Sequence, residues 1–300
     1  ASHSNQSGQN TVILIDEPEL YLHPQAISVV CSALKQLSAS GFQVLFSTHS
    51  PMMVSAEDAA ETIVFWKCPQ NGTKYRQKVI SALAGIGSHQ HQTDVLYSLN
   101  HSSQWLFSDK PVIVEGKTER LLLPAIFSAV TGKSLSQASV SLIESGGSGG
   151  SLQIAKLLKS LGYSPKVISD LDFAFKVAVP EGLIPATDPD LMTCIQWFAE
   201  NAASNGFHLG TDGLPKKGGT LKPEAAYELL AQALPTECTS IHNILKAVDV
   251  WIWTKGAIEA HLGIQKTNTE RANFTSQALG TNSIMHASDP SVLTQMAAWI

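Results

Sequence analysis

A chain of 300 residues, 44% of them hydrophobic, holds enough apolar material for two cores at roughly 150 residues per domain. No apolar run approaches the ~20 residues of a membrane helix, and Cys31, Cys68, Cys194 and Cys238 show neither disulfide-framework nor zinc spacing. These features predict a protein of the reducing cytoplasm without a membrane partner; the net charge of −5 is unfavourable for gripping nucleic acid unless bound cations offset some of the acids.

Ala1 to Asn10 is polar and bears glycine and serine, so it reads as the end of a linker and not as a targeting signal. Ile13 to Pro24, ILIDEPELYLHP, is an apolar strand that ends in Asp16 and Glu17. A helix over Gln25 to Ser38 leads to a second strand, VLFSTHSP (Val44 to Pro51), that ends in His49. Asp-Glu at one strand end and Ser-Thr-His-Ser at the next resemble the Walker B segment and switch histidine of ABC-type ATPases, in the form seen in RecF-like and OLD-type proteins. The resemblance implies that Asp16 helps to hold Mg²⁺, Glu17 polarises the attacking water and His49 faces the γ-phosphate. No Gly-x-x-x-x-Gly-Lys-Ser/Thr loop occurs: Gly116-Lys117-Thr118 supplies its last letters, but Pro111 stands where its first glycine belongs. The expected unit over residues 1–108 is the C-terminal half of an ABC-type ATPase, with ATP bound only by a longer intact protein.

Thr62 to Trp66 and Tyr75 to Ile80 are predicted to form a hairpin around the Asn71-Gly72 turn. His89 and His91 lie two apart in a polar Gly-Ser-Gln context, which suits a loop better than a metal site.

VIVEGKTE (Val112 to Glu119) is answered about fifty residues later by KVISDLD (Lys166 to Asp172). Each is a β-branched run ending in carboxylates, and two parallel strands would bring Glu115, Asp170 and Asp172 to one sheet edge, where open α/β folds build their sites. Carboxylates gathered in this way repel one another unless a cation lies among them, and hard oxygen ligands select Mg²⁺ or Mn²⁺. Between the runs lie a helix (Glu119 to Val130), a strand (Val140 to Glu144), a glycine-rich turn and a helix (Ser151 to Leu161), completing a β-α-β-α-β order. The pattern resembles the Toprim domain of topoisomerases, primases and OLD-family nucleases. An ATPase half followed by Toprim is the arrangement of the OLD (overcoming lysogenization defect) family, which includes the nuclease subunit of the Gabija antiphage system. The resemblance runs from Thr11 to about Leu262.

The expected fold is therefore α/β: a partial ABC-type ATPase sheet, then over residues 109–300 a Toprim (Rossmann-like, mostly parallel) domain with a helical insertion at about 180–240. Within the insertion, Asp190 to Ala203 and Pro223 to Ala233 read as helices, and Trp197, Phe198 and Tyr227 as packing residues. Lys216 and Lys217 lie in its glycine-rich loop, more a solvated loop than a phosphate contact. Val248 to Trp253 reads as a strand feeding a helix, and its Gly-x-Ile-Glu resembles an OLD-type element that makes Glu259 a further ligand.

What the resemblance implies is ATP-regulated, two-metal phosphodiester hydrolysis of DNA in antiphage defence or DNA processing. Asp170 and Asp172 would hold one ion, Glu115 and Glu119 the other, and Glu259 would complete the set; Glu115 could instead serve as general base. Lys255, Lys266 and Arg271 are the candidates for a transition-state cation, Lys255 foremost. Gly146 and Gly147 are either a phosphate contact at a helix N-terminus or simply a tight turn. ABC-type heads imply a homodimer or larger assembly, with a possible defence-system partner. Two other readings compete: a nucleotide-gated DNA-binding scaffold with a degenerate nuclease site, and a topoisomerase- or primase-type Toprim enzyme, for which none of the five tyrosines has a recognisable cleavage context.

Overall fold

The computed structural model describes residues 11–300 except 56–57, 59–60, 69, 86–91, 93–94, 96–98 and 100–102. His89 and His91 fall outside the described residues. The N-terminal elements are β1 (Val12–Asp16), α1 (Pro24–Ala39) and β2 (Gln43–Ser47). β1 and β2 pair in parallel with Asp16 opposite Ser47, so both polar strand ends lie at the same edge. α1 begins where sequence rules place it: Pro24 opens the helix and the His23 side chain accepts the Gln25 N–H. It covers one face of the pair, where Ile15, Val44 and Phe46 pack against Ile27, Leu34 and Met53. Alternation turns Val12, Leu14 and Leu45 to the other, exposed face.

The hairpin forms, shifted from its predicted bounds. β3 (Phe65–Cys68) and β4 (Gly72–Tyr75) are antiparallel, with Cys68 opposite Gly72. Val79–Leu83 is a short helix, α2, and not strand. The β-branched Val79 and Ile80 suggested strand, but burying Val79, Ala82 and Leu83 on one side takes a helical period.

The main sheet has four parallel strands in the order β10-β7-β5-β6: β5 (Lys110–Val114), β6 (Val140–Glu144), β7 (Lys166–Ser169) and β10 (Val250–Ile252). Its connections are α3 (Lys117–Thr131) and α4 (Ser148–Ser160), giving the mixed α/β fold expected. Both faces are covered, which is why β5 reads as a continuous apolar run. Alternate residues supply two cores. Ile113, Ile143, Val167 and Ile252 join α4 and the insertion, while Val112, Val114, Ile168 and Trp251 join α3 and the C-terminal helices.

The insertion comprises α5 (Pro189–Asn205), the two-residue strands β8 (His208–Leu209) and β9 (Pro215–Lys216), α6 (Pro223–Ala233) and α7 (Pro235–Lys246). Asp188 caps α5 by accepting the N–H groups of Asp190 and Leu191. Phe198 and Tyr227 are buried in mutual edge contact at 5.2 Å, and Trp197 packs on Phe198 at 5.8 Å. These rings are core, as expected. After β10 come α8 (Ile258–Leu262), α9 (Asn268–Thr281) and α10 (Pro290–Trp299). α10 seats Leu293 and Met296 in the second core and sets Trp299 5.7 Å from Trp251.

Candidate functional site

β5 and β7 are hydrogen-bonded neighbours, so the residues that follow them emerge side by side. Glu115, just past β5, accepts the Ser169 hydroxyl at 2.5 Å and the Asp170 N–H at 3.3 Å, both at Oε2. Burial raises its carboxyl above the ordinary range and the Asp172 charge adds to this, against the lowering effect of those two donors. Glu119, in the first turn of α3, is only 4% exposed. Burial lifts it to about 7, with the Glu115 and Glu259 charges contributing. Asp170 is held well above its usual value by burial first and then by the charges of Glu119, Glu115 and Asp172. The structure thus brings Glu115, Glu119, Asp170, Asp172 and Glu259 into one electrostatic neighbourhood.

Three cations answer these acids: Lys266 and Arg271 are candidates from the sequence, and Lys176 is not. Lys176, on a single π-helical segment (Ala174–Ala178), pairs with Asp172 Oδ2 at 2.8 Å. Arg271 on α9 donates from Nε and Nη2 to Glu259 Oε1, at 3.0 and 2.6 Å. Lys266 bonds Glu228 at 2.9 Å. Burial works against its charge, yet Glu228, Asp170 and Glu259 together keep its ammonium above the usual value. An i,i+4 spacing could have suggested Lys176; the other two pairings are long-range.

Lys255 is directed elsewhere. Its Nζ lies 2.6 Å from Asp289 Oδ2, which also accepts the His261 Nδ1–H at 2.9 Å, and its backbone N–H donates to His261 Nε2 at 3.2 Å. The His261 tautomer is assigned from these two bonds. Gly256, next in the chain, has φ 103°, and a Cβ there would come within 2.7 Å of Glu228 Cγ, so this junction needs glycine. Gly146 and Gly147 have φ 72° and 148° and form the turn into α4. Beside them a cleft of about 380 Å³ is lined by Ser145, Gly149, Gly150, Gln153 and Lys176.

The N-terminal polar residues also meet at one edge. Ser47 donates to Asp16, the Glu17 N–H donates to Ser47 O at 3.1 Å, and His49 Nε2 lies 3.2 Å from Glu17 Oε1. Glu17 holds φ 45°, an uncommon conformation for a non-glycine residue.

Whether the acids suit a divalent ion can be judged from their chemistry. All five offer hard oxygen donors, and Asp170 Oδ1 and Asp172 Oδ1 are buried with no hydrogen-bond partner. Among the described residues no three His, Cys, Asp or Glu side chains are disposed to grip one ion as they stand, because Glu115, Asp172 and Glu259 turn oxygens to Ser169, Lys176 and Arg271. The donor set fits in type and burial, and closing it on an ion would require these contacts to give way.

An open parallel sheet with acids at the ends of adjacent strands, preceded by an Asp-Glu strand and a histidine loop, defines an ATPase segment joined to a Toprim domain. Residues 106–172 match the family described as Overcoming lysogenization defect protein-like, TOPRIM domain, and residues 1–54 match the AAA ATPase domain. The chain is 32% identical over 273 residues to the Old nuclease of Escherichia phage P2, covering 89% of this chain and 46% of that protein. The chain belongs to the OLD family, and it spans about half the length of that curated relative. The solved C-terminal region of the Xanthomonas campestris pv. campestris OLD protein is 19% identical and overlaps 65% of this chain and 92% of its own, with a TM-score of 0.27, too low for comparing the two folds. No described helix is long and apolar enough to cross a membrane.

Proposed function

We propose that the chain carries the catalytic part of a metal-dependent DNA endonuclease, nicking or cleaving by phosphodiester hydrolysis. The observation that supports this most is the buried acid cluster, in which two carboxylate oxygens lack partners and the protonation of Glu119 is pushed up to about 7. Asp170 and Asp172 would hold one Mg²⁺ or Mn²⁺, and Glu115 and Glu119 a second. When bound, such ions would supply charge neutralisation at the phosphate and a lowered pKa for water. The chain's own residues do the remaining work. Ser169 and the Asp170 N–H orient Glu115, which would instead take a proton from water if it serves as general base rather than as ligand to the second ion. Lys266, whose ammonium interacts with Asp170 and Glu259, replaces Lys255 as our candidate for stabilising developing phosphoryl charge. The Gly146-Gly147 turn, with Lys176 in the adjoining cleft, would contact a backbone phosphate.

The reading extends to regulation. Asp16, Glu17 and His49 would form half of an ATP site completed in a longer protein, as a homodimer or larger assembly, in antiphage defence or DNA processing and in the cytoplasm, with a defence-system partner. By itself the 300-residue chain, which has no Gly-x-x-x-x-Gly-Lys-Ser/Thr loop, would not hydrolyse ATP. One observation favours the rival reading of a binding scaffold with a degenerate site: Asp172 and Glu259 are already neutralised by Lys176 and Arg271. Plasmid nicking by the purified chain in Mg²⁺ or Mn²⁺, compared with Asp170→Ala, decides between them. Equal nicking by parent and variant, or none by the parent, would sink the nuclease reading.

A further inference from the structure

The acidic chain has a basic stretch beside its N-terminal unit. Between Glu61 and Asp94 the sequence places Lys67, Lys74, Arg76 and Lys78 and no acid, so the segment takes four of the 20 Lys and Arg and none of the 25 Asp and Glu. Its centre is the β3–β4 hairpin. Strand alternation divides the side chains between two faces. Trp66 and Arg76 face inward: the Arg76 guanidinium lies 5.2 Å from the Trp66 ring and 3.8 Å from the Tyr163 ring, and donates to Leu161 O at 2.9 Å. The hairpin is thereby moored to the end of α4. Phe65 and Tyr75, directly opposite one another, face outward at 66% and 72% exposure, with ring centroids 6.4 Å apart. Lys67 shares their face, whereas Lys74, opposite Trp66, lies on the inner face. Both are exposed without an ion pair among the described residues, whereas Lys78 is held by Glu61 at 2.6 Å.

We propose that the outer face of the β3–β4 hairpin is a binding platform for single-stranded DNA, on which bases stack against Phe65 and Tyr75 while Lys67 meets the backbone. Two adjacent exposed rings on a two-stranded ribbon present flat apolar surface that bases seek and that the described residues leave uncovered. Lys67, in a segment free of acids, provides beside the rings the positive charge a polyphosphate needs. Base-paired duplex cannot use the rings, because its bases already stack on one another. The choice of ligand rests on the DNA-acting reading above; the surface itself lies outside the carboxylate site.

The test measures binding of a fluorescein-labelled oligodeoxythymidine of about 20 nucleotides to the 300-residue chain by anisotropy, in EDTA so that no cleavage intervenes. Loss of two stacked bases in a Phe65→Ala, Tyr75→Ala variant should weaken binding tenfold or more, while Phe65→Tyr, Tyr75→Phe should stay within about threefold of the parent. Lys67→Gln should make the salt dependence shallower, by about 0.7 in log–log slope, and Lys74→Gln, on the other face, should not. A duplex of equal length should be insensitive to loss of the rings. Oligonucleotide binding by the alanine variant within twofold of the parent would overturn the proposal. So would a chain that sediments as a dimer split by the alanine pair, since the rings would then be a protein contact. A chain that binds through the hairpin yet fails to nick in Mn²⁺ leaves this inference standing and removes the nuclease reading; one that nicks yet binds the oligonucleotide equally well without the rings does the reverse.

Discussion

Arg271 donates two hydrogen bonds to a single oxygen, Oε1, of Glu259, and both side chains are largely withdrawn from water. The pair joins α8 to α9 and fixes the last acid of the cluster. Removing one partner of such a pair strands the other as a buried charge, which costs on the order of 3 kcal/mol. Arg271→Ala should therefore lower the urea midpoint strongly, and adding Glu259→Gln to it should recover much of the loss. Additive effects in that double-mutant cycle would mean the two side chains are not coupled.

Glu119 links the cluster to pH. Its folded pKa of about 7 lies above the ordinary 4.5, so between those values the folded state retains a proton that the unfolded chain has released. Without divalent ions, stability should accordingly fall as pH rises from about 4.5 through 7, by up to about 3 kcal/mol for this one group. Glu119→Gln should flatten that slope. Added Mg²⁺ should stabilise more at pH 8 than at pH 6, because the ion competes with the proton. Thermal melts across pH check both, and an unchanged slope in the variant would remove Glu119 as its source.

His261 works in the opposite sense. Burial lowers its pKa to about 4, against the raising influence of Asp289, so below about 6.5 the unfolded chain binds the proton more readily than the folded one. Stability from this group is complete above pH 6.5 and is lost as pH falls towards 4. An NMR titration should find His261 neutral at pH 5.5, and His261→Asn should lessen acid destabilisation on that limb. A measured pKa near 6.5 would contradict the assignment.

How much of this could be read in advance depends on how local the cause is. Strands β5 and β7 announce themselves because both faces are buried and the apolar run stops at the carboxylates, and parallel pairing then brings Glu115 and Asp170 together. The hairpin was legible from Asn71-Gly72, but its second strand was placed late, since strand and short buried helix look alike in Val79 to Leu83. Lys266 and Arg271 could be named in advance as candidate cations, but the acids they answer were not legible. Arg271 reaches Glu259 from a different helix, and Lys255, adjacent to the site in sequence, is drawn away by Asp289, 34 residues further along the chain. Such pairings follow from how α8, α9 and α10 pack on the sheet, which no local spacing encodes.

Asp170 offers the sharpest separation of folding from function. Its carboxyl is almost wholly buried, is held well above its usual pKa by burial and then by three neighbouring acids, and has an unpartnered Oδ1. In the absence of divalent ions an ionised Asp170 is therefore a destabilising element. Asp170→Asn keeps the shape, removes the charge and should raise the melting temperature of the ion-free chain at pH 8. The parent should gain stability on titration with Mg²⁺ or Mn²⁺, by an amount that grows with concentration as expected for a ligand that binds only the folded state. The variant should lose most of that response, and nicking should fall with it. If Asp170→Asn instead leaves the ion-free chain less stable and the response to metal intact, the ion binds elsewhere and Asp170 is a structural acid whose burial is satisfied in another way.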